Sequence, residues 1–331
     1  MKPLYIWAGG KNKMIPKYLK EPGIPYSGYD TFVEPFFGGG AMMIHIYQNN
    51  PTVKKFIMND INPEIVGVYT AIKTDVKKFI ARMDTLQAQY LPLSKVDRKK
   101  FYYDLRKEYT TNWTQWNATD ESATLYFLMK TGFNGIWQTN QTSNGRFATP
   151  SGLLNQTVKV YDKDNVLEWN VFLQKVDICC GDWSACVGLV EGKAYFFFDP
   201  PYRDSFTSYS QVFDDSQQLQ LIDFCKQADL NGNIVMFCNR DAGDTFYTDN
   251  QGQLDISYYD VTYTAGRRKQ NKGDDGVITS QTAKVAKEIL LYSPVIKSMN
   301  CTVQPVSVVA KTPKDKESKK VLDSNLFETV A

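Results

Sequence analysis

Strands that alternate with helices predict an α/β chain built on a largely parallel, doubly wound sheet. Three observations carry that prediction: short β-branched and aromatic runs that end in loop signals, a glycine-rich turn directly after the first of them, and helical apolar periods in between. Residues 31–34 and 55–59 read as the first two strands. From Glu64 the period changes, and Ile65, Val68, Tyr69, Ile72, Val76, Phe79, Ile80 and Met83 predict one amphipathic helix. Residues 97–109 and 121–130 predict two more helices, and 132–152 form a turn-rich stretch of Asn, Thr, Ser and Gly. Strands then resume at 176–180, 194–198, 234–238, 256–264 and 287–292, with a helix over 216–228 between two of them. The helical and turn-rich middle therefore interrupts the sheet as an insertion.

A chain of 331 residues has the length of two domains, or of one domain carrying a large insertion. Its 43% apolar content suffices for a sizeable core, and 22% charge of balanced sign argues against disorder. With 38 basic against 36 acidic residues the net charge is +2, which excludes a histone-like protein but leaves room for a local basic patch. Cys179, Cys180, Cys186, Cys225, Cys238 and Cys301 have no Cys-x-x-Cys spacing and His45 is the single histidine, so no zinc site is expected. Most of these cysteines read as reduced core residues, and His45 as structural. No apolar run reaches about 18 residues, so no membrane span is expected and a cytoplasmic location is. Beyond Pro294 the pattern weakens, and residues 311–320 read as a flexible basic tail.

Three motifs carry chemistry. Glu34-Pro35-Phe36-Phe37-Gly38-Gly39-Gly40 stands between a strand and an apolar helical start, where glycines let a ligand approach backbone amides closely. Asn59-Asp60-Ile61-Asn62 follows about 20 residues later at the next strand end, where a carboxylate accepts ribose hydroxyls; a helix cap is the plain alternative. Together they indicate a nucleoside cofactor, either NAD or S-adenosylmethionine. The apolar strand 194–198 then ends in Asp199-Pro200-Pro201-Tyr202, and two prolines cannot continue a strand. Asp199 and the Pro200 carbonyl offer two adjacent acceptors for an exocyclic amine, and the Tyr202 ring offers a stacking face. This pairing favours methyl transfer to a base.

On these residues the sequence resembles the Dam-type DNA adenine methyltransferases. Trp7-Ala8-Gly9-Gly10-Lys11, Phe32 to Gly40, Asn59 to Asn62, Phe133-Asn134-Gly135 with Phe147 to Pro150, Gly181-Asp182-Trp183, Asp199 to Tyr202 and Phe206 to Tyr209 match the family's motifs in order. The resemblance implies a doubly wound, seven-stranded mixed sheet of the S-adenosylmethionine-dependent, Rossmann-like type, with an inserted, mainly helical target-recognition domain. The catalytic part would span 1–63 and 165–295, the insertion 64–164 and a flexible extension 296–331. It further implies S-adenosylmethionine as cofactor, duplex DNA as substrate, no metal, a cognate restriction endonuclease as partner, and a monomer or weak dimer.

Residue by residue, Trp7, Lys11, Gly38, Gly39, Gly40, Asp60, Asp182, Trp183 and Asp199 would line the cofactor pocket, with Lys11 on the methionine carboxylate. Asp199, Pro200 and Tyr202 would act on the target adenine. Asn134, Gln138, Asn140 and Arg146 would reach base edges, and Arg267, Arg268 and Lys269 would grip phosphates from a loop. Gln138 stands where GATC-reading members carry an arginine, and Ile6 where they carry a basic residue. Glutamine prefers adenine to guanine, so the expected site differs from GATC or is more relaxed, with Arg146 on a longer turn as the competing guanine reader. Cytosine or RNA amine methylation, and a catalytically silent DNA-binding module of the same fold, are the alternatives.

Overall fold

The computed structural model describes residues 1–7, 9–203, 213–263, 269–272, 278–282, 284–299 and 301. Among the described residues nine strands run β1 (Thr31–Glu34), β2 (Lys55–Asp60), β3 (Val176–Cys180), β4 (Ala194–Phe198), β5 (Ile234–Arg240), β6 (Asp255–Tyr263), β7 (Lys269–Lys272), β8 (Ile278–Thr282) and β9 (Lys284–Tyr292). Seven of them form one sheet in the order β3-β2-β1-β4-β5-β9-β6, and β7 pairs with β8 separately. The first five in that order are mutually parallel, whereas β9 runs antiparallel to both β5 and β6. The sheet is thus mixed, seven-stranded and doubly wound. From β1 the chain winds outward through β2 to β3, then returns to β4 on the other side of β1. That reversal opens a crevice at the carboxyl ends of β1 and β4, where such sheets bind ligands.

Both faces of the sheet are covered, which is why β4 reads as an unbroken apolar run. Its side chains alternate: Tyr195 and Phe197 enter one core with Phe32, Phe56 and Met236, while Phe196 and Phe198 enter the other with Val33, Ile57 and Val235. The first core continues without a break into the helical insertion through Phe79, Tyr102 and Phe127.

The helices are α1 (Ile15–Lys20), α2 (Ala41–Asn49), α3 (Pro63–Thr74), α4 (Val76–Tyr90), α5 (Lys95–Thr111), α6 (Ala118–Thr131), α7 (Lys163–Leu173), α8 (Ser184–Val187), α9 (Asp215–Leu230) and α10 (Phe246–Asn250). The single helix expected from Ile65 to Met83 is two. Asp75 ends α3 and caps α4 by accepting the Lys78 amide at 3.2 Å, a break that apolar periodicity cannot register. The basic loop is also partly a strand. Lys269 begins β7, paired in register with Thr282, while Arg267 and Arg268 lie outside the described residues. The Phe206 to Tyr209 motif and residues 311–320 lie outside them as well.

Ile296 is fully buried in the first core, and Met299 and Cys301 pack against it. Among the described residues all six cysteines are free. Cys186, Cys225 and Cys238 are buried, but Cys179 and Cys301 are only partly so, and Cys180 is exposed. His45 hydrogen bonds through Nε2 to the Tyr26 hydroxyl at 2.7 Å, and burial lowers its pKa. Among the described residues no helix is long and apolar enough to cross a membrane, and no cluster of acidic, Cys and His side chains could hold a metal.

Candidate active site

The glycine turn joins β1 to α2, and Gly40, at φ +62°, is the α2 N-cap. A Cβ on Gly38 would stand 2.5 Å from Trp7 Nε1, and one on Gly40 would stand 2.2 Å from Phe37 Cζ. Trp7 is therefore laid directly over the turn, which only glycine permits. Below it, buried Glu34 accepts the Met43 amide at 2.9 Å and so anchors the start of α2. Burial pushes the Glu34 carboxyl well up, against the pull of that amide.

Asp60 ends β2 beside this turn. Its Oδ2 accepts the Gly38 amide and its Oδ1 the Asn62 amide, both at 2.9 Å. The helix cap is Asn62, which accepts from Glu64 and Ile65, so Asp60 is not spent on capping α3. Burial raises the Asp60 pKa, while its backbone hydrogen bonds oppose that rise. Each carboxylate oxygen retains a second acceptor site for a ligand donor. Asn59, one residue earlier, ties the two neighbouring loops together by donating to Pro35 and Gly181 carbonyls, each at 3.0 Å. Its Oδ1 is buried without a hydrogen-bond partner, an acceptor that a bound donor would satisfy.

Asp182 and Trp183 follow β3, which pairs in register with β2 up to Asp60 and Cys180. Asp182 is exposed, and its Oδ1 accepts the Ser184 amide at 3.0 Å. The Trp183 ring packs against Phe198 and Phe224, forming a wall next to the end of β4.

At that end the structure brings together residues 188 and 191 positions apart. Lys11, buried to 4% side-chain exposure, places Nζ 2.7 Å from Asp199 Oδ1 and donates to the Tyr202 hydroxyl at 2.7 Å and the Gly9 carbonyl at 3.0 Å. The ammonium is also 4.9 Å from the Tyr202 ring centroid. Lys11 was expected on a cofactor carboxylate; here it is paired with Asp199. The sequence could not show this, because no spacing rule connects positions so far apart. Burial works most strongly against the ammonium, but Asp199 together with Cys238, Glu288 and Tyr18 outweighs it and holds the Lys11 pKa well above its ordinary value. Burial likewise lifts Asp199 above the usual carboxylate range, and Lys11 limits the rise. The Cys238 thiol, on neighbouring β5, donates to the same Oδ1 at 3.4 Å.

Three further residues were missed. Arg203 follows Tyr202 and is bidentate to Asp215 at 2.7 and 2.9 Å, while Gln218 and Asn239 bond the turn's backbone from below. Only the position of Arg203, directly after the motif, offered a signal.

The turn-rich stretch is a ribbon closed by bridges between Gly132 and Ser151 and between Thr139 and Phe147. Gly135 packs against the backbone of Ile6, so the ribbon leans on the segment leading to Trp7. Asn134, at φ +51°, Gln138 and Asn140 have exposed side chains on it. Arg146 does not join them. Its guanidinium ion-pairs with Glu121 and with Glu64, the latter at 3.5 Å, and lies 4.4 Å from the ring centroids of both Tyr109 and Trp113. The charge is used inside the insertion, between two half-buried carboxylates.

The family model described as D12 class N6 adenine-specific DNA methyltransferase matches residues 7–281. The Type II methyltransferase M.MjaIII of Methanocaldococcus jannaschii is 32% identical over 293 residues, covering 84% of this chain and 96% of that protein. The Type II methyltransferase M1.LlaDCHI of Lactococcus lactis is 26% identical, covering 82% and 92%. A DNA adenine methylase of Vibrio cholerae is also 26% identical, covering 81% and 92%. The methyl donor of such enzymes is S-adenosylmethionine, and the glycine turn, Asp60 and the unpartnered Asn59 oxygen suit a nucleoside ligand. The chain belongs to the D12 class of N6 adenine-specific DNA methyltransferases.

Proposed function

We propose that this protein methylates the exocyclic N6 amine of an adenine turned out of duplex DNA, with Asp199, Pro200 and Tyr202 as the residues that touch the base. The observation that carries the reading is the Asp199–Lys11–Tyr202 cluster at the carboxyl end of β4, beside the glycine turn and Asp60. When bound, S-adenosylmethionine supplies an electrophilic methyl group on a sulfonium. Trp7, the backbone of Gly38 to Gly40, Asp60, Asp182 and Trp183 would hold it.

An adenine amine is conjugated with its ring and is a poor nucleophile inside a base pair, so the base must leave the stack. The Tyr202 ring returns about 1–3 kcal/mol of stacking. Asp199 Oδ1 is engaged by Lys11 and Cys238, which leaves Oδ2 to accept one amine hydrogen while the Pro200 carbonyl accepts the other. The nitrogen lone pair then faces the methyl group. The proton lost on transfer leaves to water, so Asp199 orients the amine and is not required to act as a strong base. The buried ammonium of Lys11 opposes the protonation of Asp199 that burial favours.

Residues 64–164 are the target-recognition insertion on this reading, with Asn134, Gln138 and Asn140 as base readers. Arg267, Arg268 and Lys269 are proposed phosphate contacts. The relatives named Type II methyltransferases support a restriction–modification setting with a cognate endonuclease. Modification-aware sequencing of DNA from cells expressing this chain tests the proposal. N6-methyladenine in a defined context, abolished by Asp199→Ala, is the expected result, and methylation surviving in that variant within tenfold of wild type overturns it.

A further inference from the structure

Beyond the residues that would touch base and cofactor, the turn after β4 is held from behind by a buried polar network. Arg203 is 9% exposed and forks to both oxygens of Asp215, with Nε to Oδ1 at 2.7 Å and Nη2 to Oδ2 at 2.9 Å. Its remaining nitrogen, Nη1, donates to Asp244 Oδ2 at 3.0 Å and Oδ1 at 3.2 Å, and the guanidinium lies 3.8 Å from the Phe246 ring centroid. One side chain thus joins the turn to the first residue of α9 and to the loop before α10. The backbone of the turn is fixed as well. The Arg203 amide donates to Asn239 Oδ1 at 3.2 Å, Asn239 donates to Gln218 Oε1 at 3.2 Å, and Gln218 donates to the Pro201 carbonyl at 2.9 Å. Gln218 and Asn239 are fully buried.

Prolines at 200 and 201 remove two backbone amides from the turn, so little of it is secured by the strand ladder. The hydrogen-bonded ends of the gap are Pro201 O and Arg203 N, directly flanking Tyr202. An ordinary exposed ion pair contributes little, but a stacked guanidinium that is bidentate to one carboxylate and bonded through its third nitrogen to a second is a rigid fork. We propose that Arg203 is a positioning residue for methyl transfer, acting with Gln218 and Asn239 to set the Tyr202 ring and the Pro200 carbonyl. This rests on the reading of Asp199 to Tyr202 as the base-binding turn. Arg203 touches neither base nor cofactor; it acts on where they are met.

The test is Arg203→Lys, which keeps the charge but loses the fork, assayed beside Asp199→Ala on the full chain with S-adenosylmethionine and a duplex carrying the methylated sequence. The expected result is a fall in kcat of about 10- to 100-fold, the usual cost of a small misplacement of reacting groups. Dissociation constants for cofactor and duplex should stay within about twofold, since uniform binding is not what is lost. Asp244→Asn, at a half-exposed carboxylate, should lower kcat in the same selective way, and it decides the matter if the lysine variant does not fold. A folded variant with kcat within twofold of wild type overturns the proposal. So does a loss that follows binding or the melted fraction in parallel, which would make Arg203 scaffold only. If Asp199→Ala stays active, the base-binding turn itself is misread. If Asp199→Ala is inactive while both network variants are unimpaired, only the positioning role fails.

Discussion

Lys11→Met takes away the ammonium between Asp199 and Tyr202 while keeping most of the side-chain volume. At 2.7 Å and an effective dielectric near 20 the attraction to Asp199 is roughly 6 kcal/mol, most of it offset by desolvation of the two charges. Breaking a buried pair generally costs about 3–5 kcal/mol, because the surviving charge is stranded. Asp199 keeps 21% of its side chain exposed, so solvent relieves part of that and about 3 kcal/mol is the expected loss of stability near neutral pH. The sign with pH follows from the carboxylate. Burial already raises the Asp199 pKa and Lys11 limits the rise, so without Lys11 it rises further. Asp199 is then protonated over a wider range, and a protonated carboxyl no longer accepts the target amine. The acid limb of the kcat/KM profile should therefore move to higher pH, and the stability loss should shrink as pH falls and Asp199 takes up its proton. The assay is a pH–rate profile with denaturant unfolding at two pH values, alongside calorimetry of cofactor binding. An acid limb that stays in place, with S-adenosylmethionine affinity reduced by about 1.5–3 kcal/mol, would refute this reasoning. That outcome would return Lys11 to the cofactor carboxylate.

The remaining expectations concern the base, the cofactor and the recognition ribbon. Tyr202→Ala should lower turnover by about 5- to 150-fold through lost stacking, and Tyr202→Phe by only a few-fold, because Lys11 keeps Asp199 and the Gly9 carbonyl; equal losses would assign the hydroxyl a larger part. Asp60→Ala should weaken S-adenosylmethionine by about 1.5–3 kcal/mol in calorimetry and also loosen the glycine turn, since it frees the Gly38 amide; unchanged affinity would confine Asp60 to holding that turn. Arg146→Ala should cost about 3 kcal/mol of stability, because Glu64 and Glu121 then lose the cation they share and Glu64 keeps only the Tyr109 hydroxyl and the Phe147 amide. Burial already raises the Glu64 pKa, so this cost should diminish as pH falls and Glu64 is protonated; a pH-independent loss in urea unfolding would contradict the buried-carboxylate account. Gln138→Arg should raise the preference for guanine at one position by about 5- to 150-fold in methylation profiles and leave cofactor affinity alone. A wild-type profile already restricted to GATC would defeat that expectation.

Much of the fold was legible because its causes are local. Strands β1 to β5 are short β-branched or aromatic runs closed by Gly, Asn or Pro, and each was placed within a residue or two. The break at Asp75 was not legible, since α3 and α4 keep one apolar rhythm across it and the cap is made by a polar side chain. Helices α7 and α8 were also missed, being short and weakly patterned. The pairing of β7 with β8 gave no apolar signal at all, because Lys269–Lys272 is wholly polar.

The same division runs through the site. The glycine turn, the Asp60 loop and the proline-bounded Asp199 turn were determined by sequence alone, because φ restriction, absent amides and strand-end position belong to neighbouring residues. Which charges meet was decided only by the tertiary structure. Lys11 reaches Asp199, 188 positions away, Arg203 reaches Asp244, and Arg146 turns in to Glu64 and Glu121. A cation's partner depends on which carboxylates the folded chain packs beside it, and that is a property of the packed molecule that no local motif records.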